Sequence, residues 1–166
     1  YQELCGGSLL PVLDTLEYLV HETDVWLEIT TLLIPGENDS DEELGAMTRW
    51  IVKHLGSQIP LHFSAFHPDY KLMNRPATSH RSLLKARQIA IENGIEYVYL
   101  GNVQDSVNAS TYCPQCQQKL IGRLSYQISD WQIDAAGNCS SCGKRIPGKF
   151  ETRPGDWGNR YERIRI

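Results

Sequence analysis

Hydrophobic and polar positions change period several times along the chain, and each change marks an element. Leu9, Val12, Leu13, Leu16, Leu19 and Val20 recur at helical spacing, with Ser8 placed as N-cap and Pro11 inside the first turn. Asp24 to Ile34 is rich in β-branched and aromatic residues and predicts a strand. Its Val25, Leu27 and Ile29 share one face, and Trp26, Glu28 and Thr30 the other. Pro35-Gly36 ends it. Ser40 and Glu43, at capping-box spacing, then open a helix whose stripe is Leu44, Met47, Ile51 and Leu55, with Gly56 as its stop.

Ile59 to Lys71 predicts the middle strand. Leu61, Phe63 and Ala65 alternate with His62, Ser64 and Phe66, and polar groups then crowd where the strand ends. Ser79 caps a third helix running to about Glu92, with Leu83, Ala86, Ile89 and Ala90 inward and Asn93-Gly94 as its stop. Ile95 to Leu100 predicts a third strand, ending in Gly101-Asn102.

The order α-β-α-β-α-β predicts parallel strands joined by crossover helices, an α/β fold class. Three strands do not close a barrel. Glu28 and Thr30, with His62 and Ser64, lie opposite the helix-facing apolar set. A polar inner face suits part of a (β/α) barrel around a polar ligand better than an open sheet covered on both faces. A strand face bathed in solvent is the plainer alternative. Ligands bind at strand ends in such folds, so His67, Asp69, Tyr70 and Lys71 mark a candidate site.

From Asn108 the pattern changes. Cys113-Pro-Gln-Cys116 and Cys139-Ser-Ser-Cys142 are two Cys-x-x-Cys knuckles separated by 22 residues, slightly more than the usual ~15–20. Leu124, Tyr126 and Ile128 alternate as one strand, Trp131 to Ile133 reads as a second, and Asp134 to Gly137 as a turn. Four thiolates so spaced predict a zinc ribbon, with Cys113, Cys116, Cys139 and Cys142 as ligands and Gly143 allowing the tight turn behind the sulfurs. An iron site or redox thiols are the alternatives. A module this small lacks a core of its own, and metal binding, worth ~10–16 kcal/mol in zinc peptides, supplies its folding energy.

The division expected is residues 1–106 as half of a barrel, 107–150 as the ribbon and 151–166 as a polar tail. The 166 residues carry a net charge of −4, which disfavours a protein devoted to neutralising nucleic acid. Residues 108–150 hold Lys119, Arg123, Lys144, Arg145 and Lys149 against Asp130 and Asp134, without a dense basic stripe. The ribbon therefore reads as a structural cap first, and as a module for nucleic acid or a protein partner second. No apolar run is long enough for a membrane span, and no secretory leader is evident. A cytoplasmic protein is expected. The opening at Tyr1 without Met reads as the interior of a longer polypeptide.

Several stretches together resemble a known family. They are Leu9 to Leu16, Val25 to Ser40 with its Ile34-Pro-Gly-Glu-Asn-Asp-Ser40, His62 to Lys71, Tyr97 to Val103, and the two cysteine pairs. In that order the chain resembles the C-terminal half of the AmmeMemoRadiSam-system radical SAM enzymes, which are similar to the pyruvate formate-lyase activating enzymes. The resemblance implies a partial (β/α) radical SAM barrel and an oxidoreductase. In such an enzyme a four-iron–four-sulfur (4Fe-4S) cluster and S-adenosylmethionine generate a 5′-deoxyadenosyl radical that abstracts hydrogen from a substrate. The family's Cys-x-x-x-Cys-x-x-Cys loop is absent here, so the cluster ligands are expected outside this chain, which alone would be inactive. The resemblance implies His67 as a cofactor contact, with Glu28 and Thr30 as further cofactor contacts. Asp69, Tyr70, Lys71 and Asn102 are expected at the pocket rim, toward substrate. No residue is assigned a catalytic role, because bond breaking belongs to the cofactor. The substrate is a protein, as for the activating enzymes, or a small molecule.

Overall fold

The computed structural model describes residues 1–155; residues 156–166, with most of the expected polar tail (Arg160, Arg163, Arg165), lie outside the described residues. Strands β1 (Ile29–Leu33), β2 (Leu61–Ala65) and β3 (Val98–Gly101) form a parallel sheet in the order β1-β2-β3. Helices α1 (Gln2–Cys5) and α2 (Leu9–Glu22) precede β1, and α3 (Asp41–His54) and α4 (His80–Glu92) are the crossovers. The expected alternation is therefore present. No helix among the described residues is long and apolar enough to cross a membrane.

The sheet has two unlike faces. Leu33, Leu61, Phe63, Ala65, Val98 and Leu100 pack with Leu44, Ile51 and Leu55 of the α3 segment and with Leu83, Ala86 and Ala90 of α4. Burial alternates along β2 as period two demands. Helix α2 joins this core only through Leu16 and Val20, and none of its residues is fully buried. The parallel register sets out the opposite face in rows. Glu28, Pro60 and Tyr97 lie in one, Thr30, His62 and Tyr99 in the next, and Leu32, Ser64 and Gly101 in the third. The crossover helices α3 and α4 leave that face open, and Thr30 and Leu32 on it are exposed.

The first strand is shorter than its composition predicts. Pairing begins at Ile29, opposite Leu61 where β2 begins. Val25 is accordingly exposed. One half of the capping box expected at α3 is present: the Ser40 hydroxyl accepts from the Glu43 amide at 3.2 Å. Ser79 does the same for Ser82 at 3.0 Å. Leu55 and Gly56 close α3 onto the Ile51 carbonyl, Gly56 at φ +100°.

Three polar side chains not foreseen for this task close the C-terminal ends of the strands. Asn38 accepts from the Ile34 amide at 2.7 Å and donates to the Leu32 carbonyl at 2.9 Å. Asn102, at φ +48°, accepts from the Ala65 amide at 2.7 Å and donates to the Ala65 carbonyl at 2.8 Å. Buried Thr78 donates to the Leu33 carbonyl and accepts from the Phe66 amide at 2.9 Å. Each replaces a peptide group where the ladder stops, so backbone polar atoms at the sheet end keep partners. Ion-paired Arg75 and Glu37 tie the two loops together above them.

The cysteine-containing part follows α5 (Ser106–Ala109). Strands β4 (Thr111–Tyr112), β5 (Lys119–Leu124) and β6 (Gln127–Trp131) form an antiparallel sheet. Here the predicted strands need correcting. Leu124, Tyr126 and Ile128 do not lie on one strand; they bracket the β5–β6 hairpin turn, where Ser125 takes φ +53°. Their alternation reflects exposed side chains at a hairpin tip, since Leu124 is 60% and Tyr126 81% exposed. The predicted turn at Asp134 is present: Gly137, at φ +81°, donates to the Asp134 carbonyl at 2.9 Å.

Replacing Thr78 with Val keeps the shape and strands the Leu33 carbonyl and Phe66 amide. The variant is expected to lose about 2 kcal/mol of stability, read as a lower urea midpoint at unchanged slope.

Candidate metal centre and adjoining cleft

The two knuckles are built alike. The Cys113 amide donates to Gln118 O and the Gln117 amide to Cys113 O; the Cys139 amide donates to Lys144 O and the Gly143 amide to Cys139 O. In each, the residue after the second cysteine takes a left-handed conformation, Gln117 at φ +61° and Gly143 at φ +74°. Glycine meets this requirement without strain. Gln117 meets it as a non-glycine residue, which is why only the second knuckle showed the turn in its sequence.

The knuckles bring the four sulfurs within 4.8 Å of one another. Cys113 and Cys142 Sγ lie 3.6 Å apart, and Cys116 and Cys139 Sγ 3.7 Å. A tetrahedron with metal–sulfur bonds of about 2.3 Å has edges of about 3.8 Å. The four cysteines can therefore hold one metal ion, and the geometry suits a single tetrahedral ion. Cys113 and Cys139 are buried, Cys142 is half-buried and Cys116 is exposed. Burial opposes the Cys139 thiolate, but the amides of Cys142 and Ser141 outweigh it and bring the thiol down to about 7. At Cys142 the Lys144 amide favours the thiolate; burial and the three neighbouring sulfurs outweigh that and push the thiol up to about 12. Without a cation the cluster resists becoming four thiolates; a divalent ion removes that repulsion. The fifth cysteine, Cys5, is exposed and stands apart from this group.

The centre does not float free of the sheet. Cys113, Cys139, Leu120, Ile121, Ile133 and Ile146 pack into one cluster with Tyr97, and Tyr99, Trp131 and Phe150 lie against it. Tyr97 and Tyr99 come from the uncovered face of β3. Between that face and the cysteine module lies a cleft of 1210 Å³.

A polar chain runs across the cleft. Trp26 Nε1 donates to Glu28 Oε1 at 2.9 Å, and Glu28 Oε2 lies 2.8 Å from His62 Nε2. The His62 ring stacks on Tyr99 with centroids 4.9 Å apart. The Tyr99 hydroxyl meets Thr111 Oγ1 at 3.0 Å, and Arg123 Nη1 donates to that oxygen at 2.7 Å. Burial works to raise the Glu28 carboxyl, but the bonds from Trp26 and His62 and the charges of His62 and Arg123 hold it below the usual value. Tyr99 is pushed up, first by burial.

The predicted site residues fall in two places. Glu28, Thr30 and Asn102 sit on or beside the uncovered face, with Glu28 and Asn102 lining the cleft. The Asn102 amide is already occupied by Ala65 at both ends. His67, Asp69 and Lys71 are exposed on the loop after β2, apart from the cleft, and Lys71 Nζ lies 5.2 Å from the ring of Tyr70. His62, Tyr99 and Arg123 went unassigned by sequence reasoning. Period two had put His62 on the same side as Glu28, but the pairing of strands 34 residues apart makes them partners.

Metal content should be about one ion per chain. A strong chelator is expected to unfold residues 107–150 while leaving the parallel sheet and its helices folded, seen as selective loss of dispersed amide signals; Cys139→Ser should do the same. For Glu28, a carboxyl depressed in the folded state stabilises fully above the usual value of 4.5 and loses that contribution as pH falls through its own lower value. An NMR titration should find Glu28 below 4.5 and closer to it in Trp26→Phe.

No protein-family model matches the chain. An uncharacterized protein of Methanocaldococcus jannaschii is similar to it, 40% identical over 147 residues, a stretch that covers 88% of this chain and 44% of that protein. The chain thus spans less than half the length of the curated relative it matches.

Proposed function

We propose that the chain is the distal part of a radical SAM enzyme of the AmmeMemoRadiSam type, in which the parallel sheet forms one wall of a (β/α) barrel and the cysteine module is a zinc ribbon capping it. The observation that carries this reading is the one-sided sheet. Helices cover one face, while the other carries Glu28, Thr30, His62 and Ser64, and β1 has no further strand beside it among the described residues. A half barrel leaves its inner face open in this way. The greater length of the archaeal relative leaves room for the other half.

The residues present do not fit the family's iron–sulfur cluster. Four cysteines form the ribbon set, with sulfur spacing suited to one ion, and Cys5 stands alone. The contribution of this chain would be to bind and orient: Glu28 and Thr30 on the inner wall and His67 at the strand end for S-adenosylmethionine, Asp69, Lys71 and Asn102 at the rim for substrate. Zinc held by Cys113, Cys116, Cys139 and Cys142 would supply folding energy only.

The second reading, a metal ribbon that binds nucleic acid or a protein, has the four-sulfur cluster in its favour. The use made of its cations counts against the nucleic-acid form. Lys119 is paired with Asp130 at 3.4 Å.

Anaerobic purification of the polypeptide encoded by the whole reading frame tests the leading reading. It should contain the three-cysteine loop, carry iron beyond the ribbon's zinc, and release 5′-deoxyadenosine from S-adenosylmethionine on reduction. An intact reading frame without that loop, or no nucleoside released, would overturn it.

A further inference from the structure

Arg123 is anchored on one side only. Its Nη1 donates to Thr111 Oγ1 at 2.7 Å and to Ala109 O at 3.2 Å, and its Cζ lies 5.4 Å from the centre of the Tyr99 ring. Those contacts fix the plane of the guanidinium on β5. Its Nε and Nη2 donors bond to no described residue, and no carboxylate among the described residues forms an ion pair with it. Arg123 is among the residues that line the cleft. A guanidinium held flat with two adjacent donors unused is a fork that matches the two oxygens of a carboxylate.

The rest of the site completes the match. Arg123 and His62 both lie against Tyr99, and the His62 and Tyr99 rings stack at an interplanar angle of 27°. His62 turns Nε2 to the Glu28 carboxylate at 2.8 Å, which fixes its ring against Tyr99. Trp26 holds Glu28 from the other side. Trp131 and Phe150, packed edge to face at 6.2 Å, form an aromatic wall of the same cleft. Flat walls favour a flat ligand.

We infer that this cleft is a binding site for a planar aromatic carboxylate, its carboxylate on the Arg123 fork and its ring among the aromatic side chains of His62, Tyr99, Trp131 and Phe150 that line the cleft. The inference rests on the cleft alone and stands or falls independently of the radical SAM reading.

The test is a titration of the full chain with para-hydroxybenzoate at constant ionic strength, followed by NMR. Saturable shifts are expected at Arg123, Tyr99 and His62. Binding should weaken about tenfold or more for para-hydroxybenzyl alcohol, which lacks the carboxylate, and in Arg123→Lys, which keeps the charge and loses the fork. Acetate, which lacks the ring, should leave these signals in place. The absence of saturable shifts in the wild-type chain, equal shifts with acetate, or equal affinity for acid and alcohol would overturn the inference. The comparison of acid with alcohol uses the unaltered chain, so it decides the matter even where Arg123→Lys fails to fold.

Discussion

Strand β3 is buried from both sides by different partners, and the arrangement of the molecule follows from that. Val98 and Leu100 point into the helical core, while Tyr97 and Tyr99 point into the cysteine module. A strand's side chains must alternate between faces. A residue pair that serves one layer therefore commits its neighbours to the other. The module is docked because those tyrosines need cover, and the helices stay on their side because the apolar set of β1 and β2 is in register with Val98 and Leu100.

The cover is partial, and that partial cover makes the site. The ribbon reaches Tyr97 and Tyr99 but leaves Thr30 and Leu32 exposed. Between the two lies the cleft, where charged and aromatic groups meet: Glu28 and His62 from the sheet, Arg123 from the ribbon. Neither part supplies the set alone. The cysteine cluster lies next to the cleft in the chain, since Thr111 leads directly to Cys113 and braces both Tyr99 and Arg123. A metal ion held by the four cysteines would therefore reach the cleft through two residues of chain.

The ends of the parallel strands show a different economy of means. Asn38, Thr78 and Asn102 each hold the last peptide groups of the sheet. The loops that start there, including His67 to Lys71, are held at their base while their tips remain exposed. Such a base suits loops that present side chains to a ligand.

Much of this was legible in the residues alone. Period-two alternation named the two faces of β2, capping at Ser40 and Ser79 located two helices, and two Cys-x-x-Cys pairs announced a metal set. These are local signals, because each depends on neighbours a few positions away and on the obligatory geometry of helix, strand or knuckle. The left-handed turn at Gln117 was not legible, because the residue there is not glycine. The start of β1 at Ile29 and the hairpin tip at Ser125 were not legible either, because each depends on where a partner strand begins or ends. The Glu28–His62 pair, the Tyr99 stack and the Arg123 fork belong to the same class. They join side chains 34 and 24 residues apart, from Glu28 to His62 and from Tyr99 to Arg123. Register across the sheet and the docking of the ribbon bring them together, and only the tertiary structure decides those.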